Sequence, residues 1–286
     1  MSQVYYHYCS LDNFVRIIQS KEIWLTNIFC MNDSAEHYWL RRVAKEVIRD
    51  RKEGADDMLE SLARKLFPEE ETTDLYCCCF SEDGDSLGQW RAYADDGRGV
   101  AIGIRADFLG GLYKSCPGLR VCKVEYDRAK QEGIVERVIE RAKESADFPH
   151  FDQKAPGSFR DGLSPDLFAC AGKALLWFYA VRCKNPCFRQ EREIRLIYDP
   201  SMVERYPPRP QPPNLGERRF RPRGDTLIPY YALPLPRDGG NQAIAEVVFG
   251  PKNAWKQNKK VAHDLLSQCG YDPSKTNFRV SEATYR

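Results

Sequence analysis

The sequence lacks any long apolar run. The best stretch, residues 169–181, contains Lys173 and falls short of the roughly 18 consecutive apolar residues a membrane-spanning helix needs, so no membrane association is expected. Net charge is missing too. Against 43 Lys and Arg stand 41 Asp and Glu, a formal charge of +2, so no global field draws the chain to nucleic acid or anionic lipid, and any basic site has to be local. The first residues carry neither the charged nor the apolar region of a signal peptide, which makes the cytoplasm the expected compartment. Histidine is scarce, with four scattered residues, and no second pair at zinc-ligand spacing accompanies Cys183 and Cys187, so no metal is expected. Also absent are a glycine-rich dinucleotide fingerprint, a phosphate-loop Lys-Ser or Lys-Thr, a Gly-x-Ser-x-Gly elbow and a His-Glu-x-x-His pair. These absences argue against dehydrogenases, P-loop NTPases, ordinary esterases and zincins.

What is there suits a folded chain, with 42% apolar, 29% charged and 12% aromatic residues. Eleven cysteines, an odd number that includes the run Cys77, Cys78 and Cys79, read as reduced, buried thiols. Helices are predicted over 11–21, 36–52, 57–66, 131–144, 167–183 and 255–268, and strands over 75–80, 100–104, 121–126, 191–198, 244–249 and 278–281. Residues 86–93 are too short for an independent helix, although Leu87, Trp90 and Tyr93 would share a face of one. Seven prolines and six arginines interleave over 199–224, which predicts an extended basic insertion loop. Strands and helices mix without regular alternation and no repeat is visible, so the expectation is one α+β domain over residues 1–286.

Three clusters are candidates for chemistry. In the first, Tyr6-His7-Tyr8-Cys9-Ser10, alternation points Tyr6 and Tyr8 one way and His7 the other; His7 either donates a fixed hydrogen bond to a ribose or phosphate or is a satisfied structural histidine. In the second, Cys79-Phe80-Ser81 with Trp90-Arg91-Ala92-Tyr93, aromatics and Arg91 either cover a planar ligand or form core. The third is Glu191-Arg192-Glu193-Ile194-Arg195. On a strand, Glu191 and Glu193 share one face, fit for acid work and for stabilising positive charge, with Arg195 as an ion-pair partner; the alternative is a solvated charged edge.

Taken in order, these segments resemble an uncharacterised bacterial domain family allied to AbiGi-type abortive-infection proteins. The resemblance also takes in Trp24-Leu25-Thr26, Met31-Asn32-Asp33, residues 99–103, Phe249-Gly250-Pro251 and Ser281. The opening is similar to that of DarT-like ADP-ribosyltransferases. That likeness implies a split β-sheet core with flanking helices, NAD as co-substrate, and transfer to a macromolecular acceptor within a toxin or phage-defence system that includes a possible partner protein. By the same likeness Glu193 and Glu191 are catalytic, while His7, Tyr8, Ser10, Ser81, Trp90, Arg91 and Tyr93 hold the NAD. The competing reading is a non-catalytic module that grips nucleic acid through Arg218, Arg219, Arg221 and Arg223.

Overall fold

A computed structural model describes residues 3–31, 36–50, 74–116, 118–146, 179–201, 215–237 and 242–285. In chain order these form β1 (Val4–Cys9), α1 (Leu11–Ser20), β2 (Glu22–Asn27), α2 (Glu36–Asp50), β3 (Tyr76–Ser81), α3 (Leu87–Tyr93), β4 (Val100–Arg105), α4 (Ala106–Ser115) and β5 (Leu119–Lys123). They continue with α5 (Arg128–Ala146), β6 (Glu193–Tyr198), β7 (Arg219–Arg223), β8 (Thr226–Pro234), β9 (Ile244–Phe249), α6 (Trp255–Gln268) and β10 (Asn277–Val280). The mixed α+β class agrees with the sequence reading. The helix expected over 57–66 and residues 167–178 of the one expected over 167–183 lie outside the described residues, as do Asn32 and Asp33.

The described residues fall into two compact units, one within 1–31, 74–124 and 189–286, the other within 32–73 and 125–188. The first is built on a ten-stranded sheet whose main path runs β10-β9-β4-β1-β3-β2-β8-β7, with β6 on the other edge of β3 and β5 beyond it. All pairs are antiparallel except β9 with β10. β1 and β2 both join the same edge of β3: β1 meets it at Ser81, through Tyr6, and β2 at Cys77 and Tyr76. Between those two attachments, Cys78 to Phe80 make no ladder contact with either strand.

One face of this sheet carries the main core, where Phe14, Ile18, Leu25, Phe80, Ile102, Leu196, Val247 and Leu266 pack together. α1 forms where expected for legible reasons. Ser10 caps it, its hydroxyl accepting from the Asn13 N–H at 3.3 Å, and the buried Phe14 and Ile18 lie four apart on one stripe. It stops at Lys21, whose left-handed backbone (φ 60°) turns its N–H onto the Ile17 carbonyl at 2.9 Å. On the opposite face Tyr6, Tyr8, Trp90, Ala94, Ala101 and Val248 form a smaller cluster.

Three local expectations need correction. The strand expected over 191–198 starts only at Glu193, because residues Pro186–Glu191 close into a 3₁₀ turn and Arg192 sits in the left-handed region at φ 46°. Residues 87–93 do form a helix, supported by burial of Trp90 rather than by length. Part of the basic stretch is not a loop: Arg219–Arg223 pairs with Thr226–Pro234 in a hairpin whose turn holds Gly224 at φ 60°.

The second unit has its own core of Leu40, Val43 and Ala44 from α2 with Val135, Val138 and Ile139 from α5. Buried Gln131 organises it, accepting from Trp39 Nε1 at 2.9 Å and donating to the carbonyls of Glu125 (2.7 Å) and Lys184 (2.9 Å).

Candidate functional site

Registers across the sheet decide which candidates share a face. Tyr6 opposes Ser81 and Ser81 opposes Glu193, so these three lie on one face with Tyr8, Cys79 and Arg195. His7 lies on the other. Its Nδ1 donates to the Cys79 carbonyl at 3.0 Å, in the stretch of β3 that neither β1 nor β2 pairs, and its ring meets Phe80 edge-on at 5.9 Å. Burial lowers its pKa below the usual 6.5 and outweighs the hydrogen bond, which favours the charged form. The neutral Nδ1–H tautomer follows from the carbonyl acceptor.

Glu193 and Arg195 lie two apart on β6 and form a bidentate pair, Nε to Oε1 at 2.8 Å and Nη2 to Oε2 at 3.0 Å. The carboxylate side chain is 7% exposed and the guanidinium 4%. This is a buried lock on the strand, unlike the solvated charged edge that was the alternative. Beside it, hydrogen bonding with Cys77 (Sγ to Sγ 3.8 Å) and burial hold the Cys79 thiol well above its ordinary pKa, which leaves it protonated and a poor nucleophile.

Glu191 sits at the rim, partly exposed, and accepts from the Tyr93 hydroxyl at 3.3 Å. Ser81 ties this rim to the sheet. Its hydroxyl donates to the Glu191 carbonyl at 2.7 Å and accepts from the Asp83 N–H at 3.1 Å. Next to it the Glu82 carboxylate takes Lys123 Nζ at 2.8 Å and Arg192 Nε at 3.5 Å. The structure thus gathers Ser81, Tyr93, Glu191 and Glu193 with Arg192 of the same cluster, and adds Glu82 and Lys123, which sequence reading missed because their charges reach this place only through strand pairing.

Other candidates act inside the fold. The Tyr8 hydroxyl donates to the Asp83 carbonyl at 2.7 Å and accepts from the Ser86 N–H at 3.0 Å, and burial pushes its pKa far above the ordinary tyrosine value. Ser10 is the cap of α1. Trp90 is fully buried, packs edge-on to Tyr8 at 4.7 Å, and donates Nε1–H to Asp85 at 2.7 Å. Asp85, also missed from the sequence, further accepts from the Ser281 hydroxyl and from the Glu282 N–H at 2.7 Å, and so fastens the segment after β10 to the start of α3. Arg91 is exposed, with its guanidinium 5.7 Å from the Tyr285 ring centre. Of the basic residues, Arg218 pairs with Asp74 (3.3 Å) and Arg219 with Glu22 (2.9 Å). The ten described cysteines are free thiols, and no group of three metal-ligating side chains occurs among the described residues.

No curated protein and no solved structure matches the chain. Residues 89–196, from Gln89 in α3 to Leu196 in β6 and therefore spanning Trp90, Arg91, Tyr93, Glu191, Glu193 and Arg195, match the model of a family described only as a protein of unknown function (DUF2971).

Proposed function

We propose that the chain is a NAD-consuming ADP-ribosyltransferase, with Glu191 and Glu193 at its centre. One observation carries the reading: a partly exposed carboxylate hydrogen-bonded by a tyrosine and a second, rigidly held carboxylate stand within three residues, beside Ser81, where β1 joins β3. The likeness of the opening residues to DarT-like enzymes, and the parting of β1 and β2 along one edge of β3, support it. The donor set fits NAD: a carboxylate suits the nicotinamide ribose hydroxyls and the Tyr93 ring suits a planar base. In the reaction the bond from ribose to nicotinamide breaks with its electron pair leaving on nicotinamide. Glu193 offsets the positive charge left on the ribose, and the acceptor's lone pair forms the new bond while its proton passes to Glu191.

The test is nicotinamide release by the full chain given NAD, with and without a bacterial extract as acceptor. Release is expected from the wild type. Glu193→Gln should lose about 10²- to 10³-fold in rate with NAD affinity little changed, measured below the variant's own melting transition. Glu191→Gln, at a partly exposed position, should lower transfer more than hydrolysis. Full activity in folded Glu193→Gln, or no heat and no thermal shift with about millimolar NAD in a folded wild type, overturns the proposal. The pairing of both Glu193 oxygens with Arg195 favours a second reading, a non-catalytic binding module. That reading expects no release from any variant.

A further inference from the structure

Arg192, between the two carboxylates, carries backbone strain. Among the described residues four other than glycine are left-handed: Lys21 closes α1, Asp95 and Asp96 are of a type that tolerates the region, and Arg192 has neither excuse at φ 46°. Glycine would close the 3₁₀ turn that ends at Glu191 at less cost. Strained backbone persists where its surroundings over-determine it, and here they do. The Ser81 hydroxyl donates to the Glu191 carbonyl at 2.7 Å, and the Glu82 N–H donates to the Arg192 carbonyl at 3.0 Å, so the turn is held on both sides by consecutive residues at the end of β3. The arginine adds what glycine lacks. Its Nε stands 3.5 Å from the Glu82 carboxylate, which Lys123 Nζ also engages at 2.8 Å.

The turn decides what each carboxylate can do. Extended backbone at Arg192 would continue the alternation of β6 and carry Glu191 onto the face of Glu193. Two carboxylates at that spacing repel and compete for Arg195. With the turn in place, Glu193 keeps both Arg195 bonds, and Glu191 stays partly exposed at the rim, where the Tyr93 hydroxyl meets it at 3.3 Å. An acceptor arriving from solvent reaches the second position and not the first.

We infer that Arg192 is a positioning residue: held left-handed by Ser81 and Glu82, it keeps Glu191 at the rim, apart from Glu193, to serve the acceptor. The inference rests on the transferase reading of the site. Its test compares nicotinamide release with transfer of labelled ADP-ribose from NAD to the macromolecules of a bacterial extract, together with melting, for the full chain and its variants. Arg192→Gly should melt about 2–4 °C above Arg192→Ala, since only glycine takes the left-handed region without strain. Valine, β-branched, does not hold that backbone, so Arg192→Val should lower the ratio of transfer to hydrolysis by about tenfold or more, and Arg192→Gly should restore most of it. In a Glu191→Gln background Arg192→Val should change the ratio no further, because the residue acts through Glu191. If Arg192→Val does not fold, Glu82→Gln takes its place, loosening the guanidinium from outside the turn with a smaller loss of the same ratio. Glycine melting no higher than alanine, an additive double variant, or transfer and hydrolysis falling together would overturn the role of Arg192. A wild type that cleaves NAD but whose transfer is absent, or unmoved by Arg192→Val, overturns this role and leaves NAD cleavage standing; a folded wild type that releases no nicotinamide overturns the transferase reading and this role with it.

Discussion

Cutting the Glu193–Arg195 pair is the sharpest physical test of the site. Both side chains are nearly out of water and two bonds of 2.8 and 3.0 Å join them, so removing one charge leaves the other buried without its counterpart. Breaking a buried pair from one side costs about 3–5 kcal/mol. Glu193→Gln should lie near the lower value because its amide oxygen still accepts one guanidinium bond, and Arg195→Met near the upper because it strands a carboxylate. At about 2–4 °C per kcal/mol, the melting midpoint should fall by about 6–20 °C. Combining Glu193→Gln with Arg195→Met removes both charges, so the double variant should recover much of the loss and show strong coupling between the positions. Circular dichroism melts and urea titrations of the four proteins provide the measurement. Single variants within about 1 kcal/mol of wild type, with an additive double, would mean a solvated and screened pair, and the buried-lock reading would fail.

His7 supplies a pH dependence. Its folded pKa is lowered, so the unfolded chain binds the proton more readily; its contribution to stability is complete above about 6.5 and declines as pH falls below 6.5 through the folded value. His7→Gln does not titrate there, so the wild-type and variant urea curves, compared over a pH series, should converge on acidification; parallel curves would refute the assignment. Asp85→Ala deprives the Trp90 N–H, the Ser281 hydroxyl and the Glu282 N–H of their acceptor and should cost about 2–4 kcal/mol, with faster proteolysis of the C-terminal residues as the local readout. Gly99→Ala would drive a methyl group into the Cys9 carbonyl oxygen, and the expected result is a chain that does not accumulate in folded form, checked by expression and gel filtration.

Elements whose signals are local were legible in the sequence. The α1 cap at Ser10 with its Phe14 and Ile18 stripe, the apolar run of β9 and the span of α6 follow from signals within each segment. So did the opposite pointing of His7 and its flanking tyrosines, a property of any extended strand. Where two signals conflict, reading along the chain failed. Prolines at 222, 229 and 234 argue against strands, yet the β7–β8 hairpin forms at the end of the sheet path, where a missing N–H costs little. Glu191 and Glu193 look equivalent as a two-residue repeat, but the left-handed turn at Arg192 leaves one at the rim and sends the other into the sheet. Sequence thus determined which residues carry charge and which way each alternates. Whether a charge meets water or a buried partner depended on strand order and register, which rest on contacts between β1, β3 and β6, whose paired residues are at least 75 positions apart in the chain, and only the folded sheet supplies them.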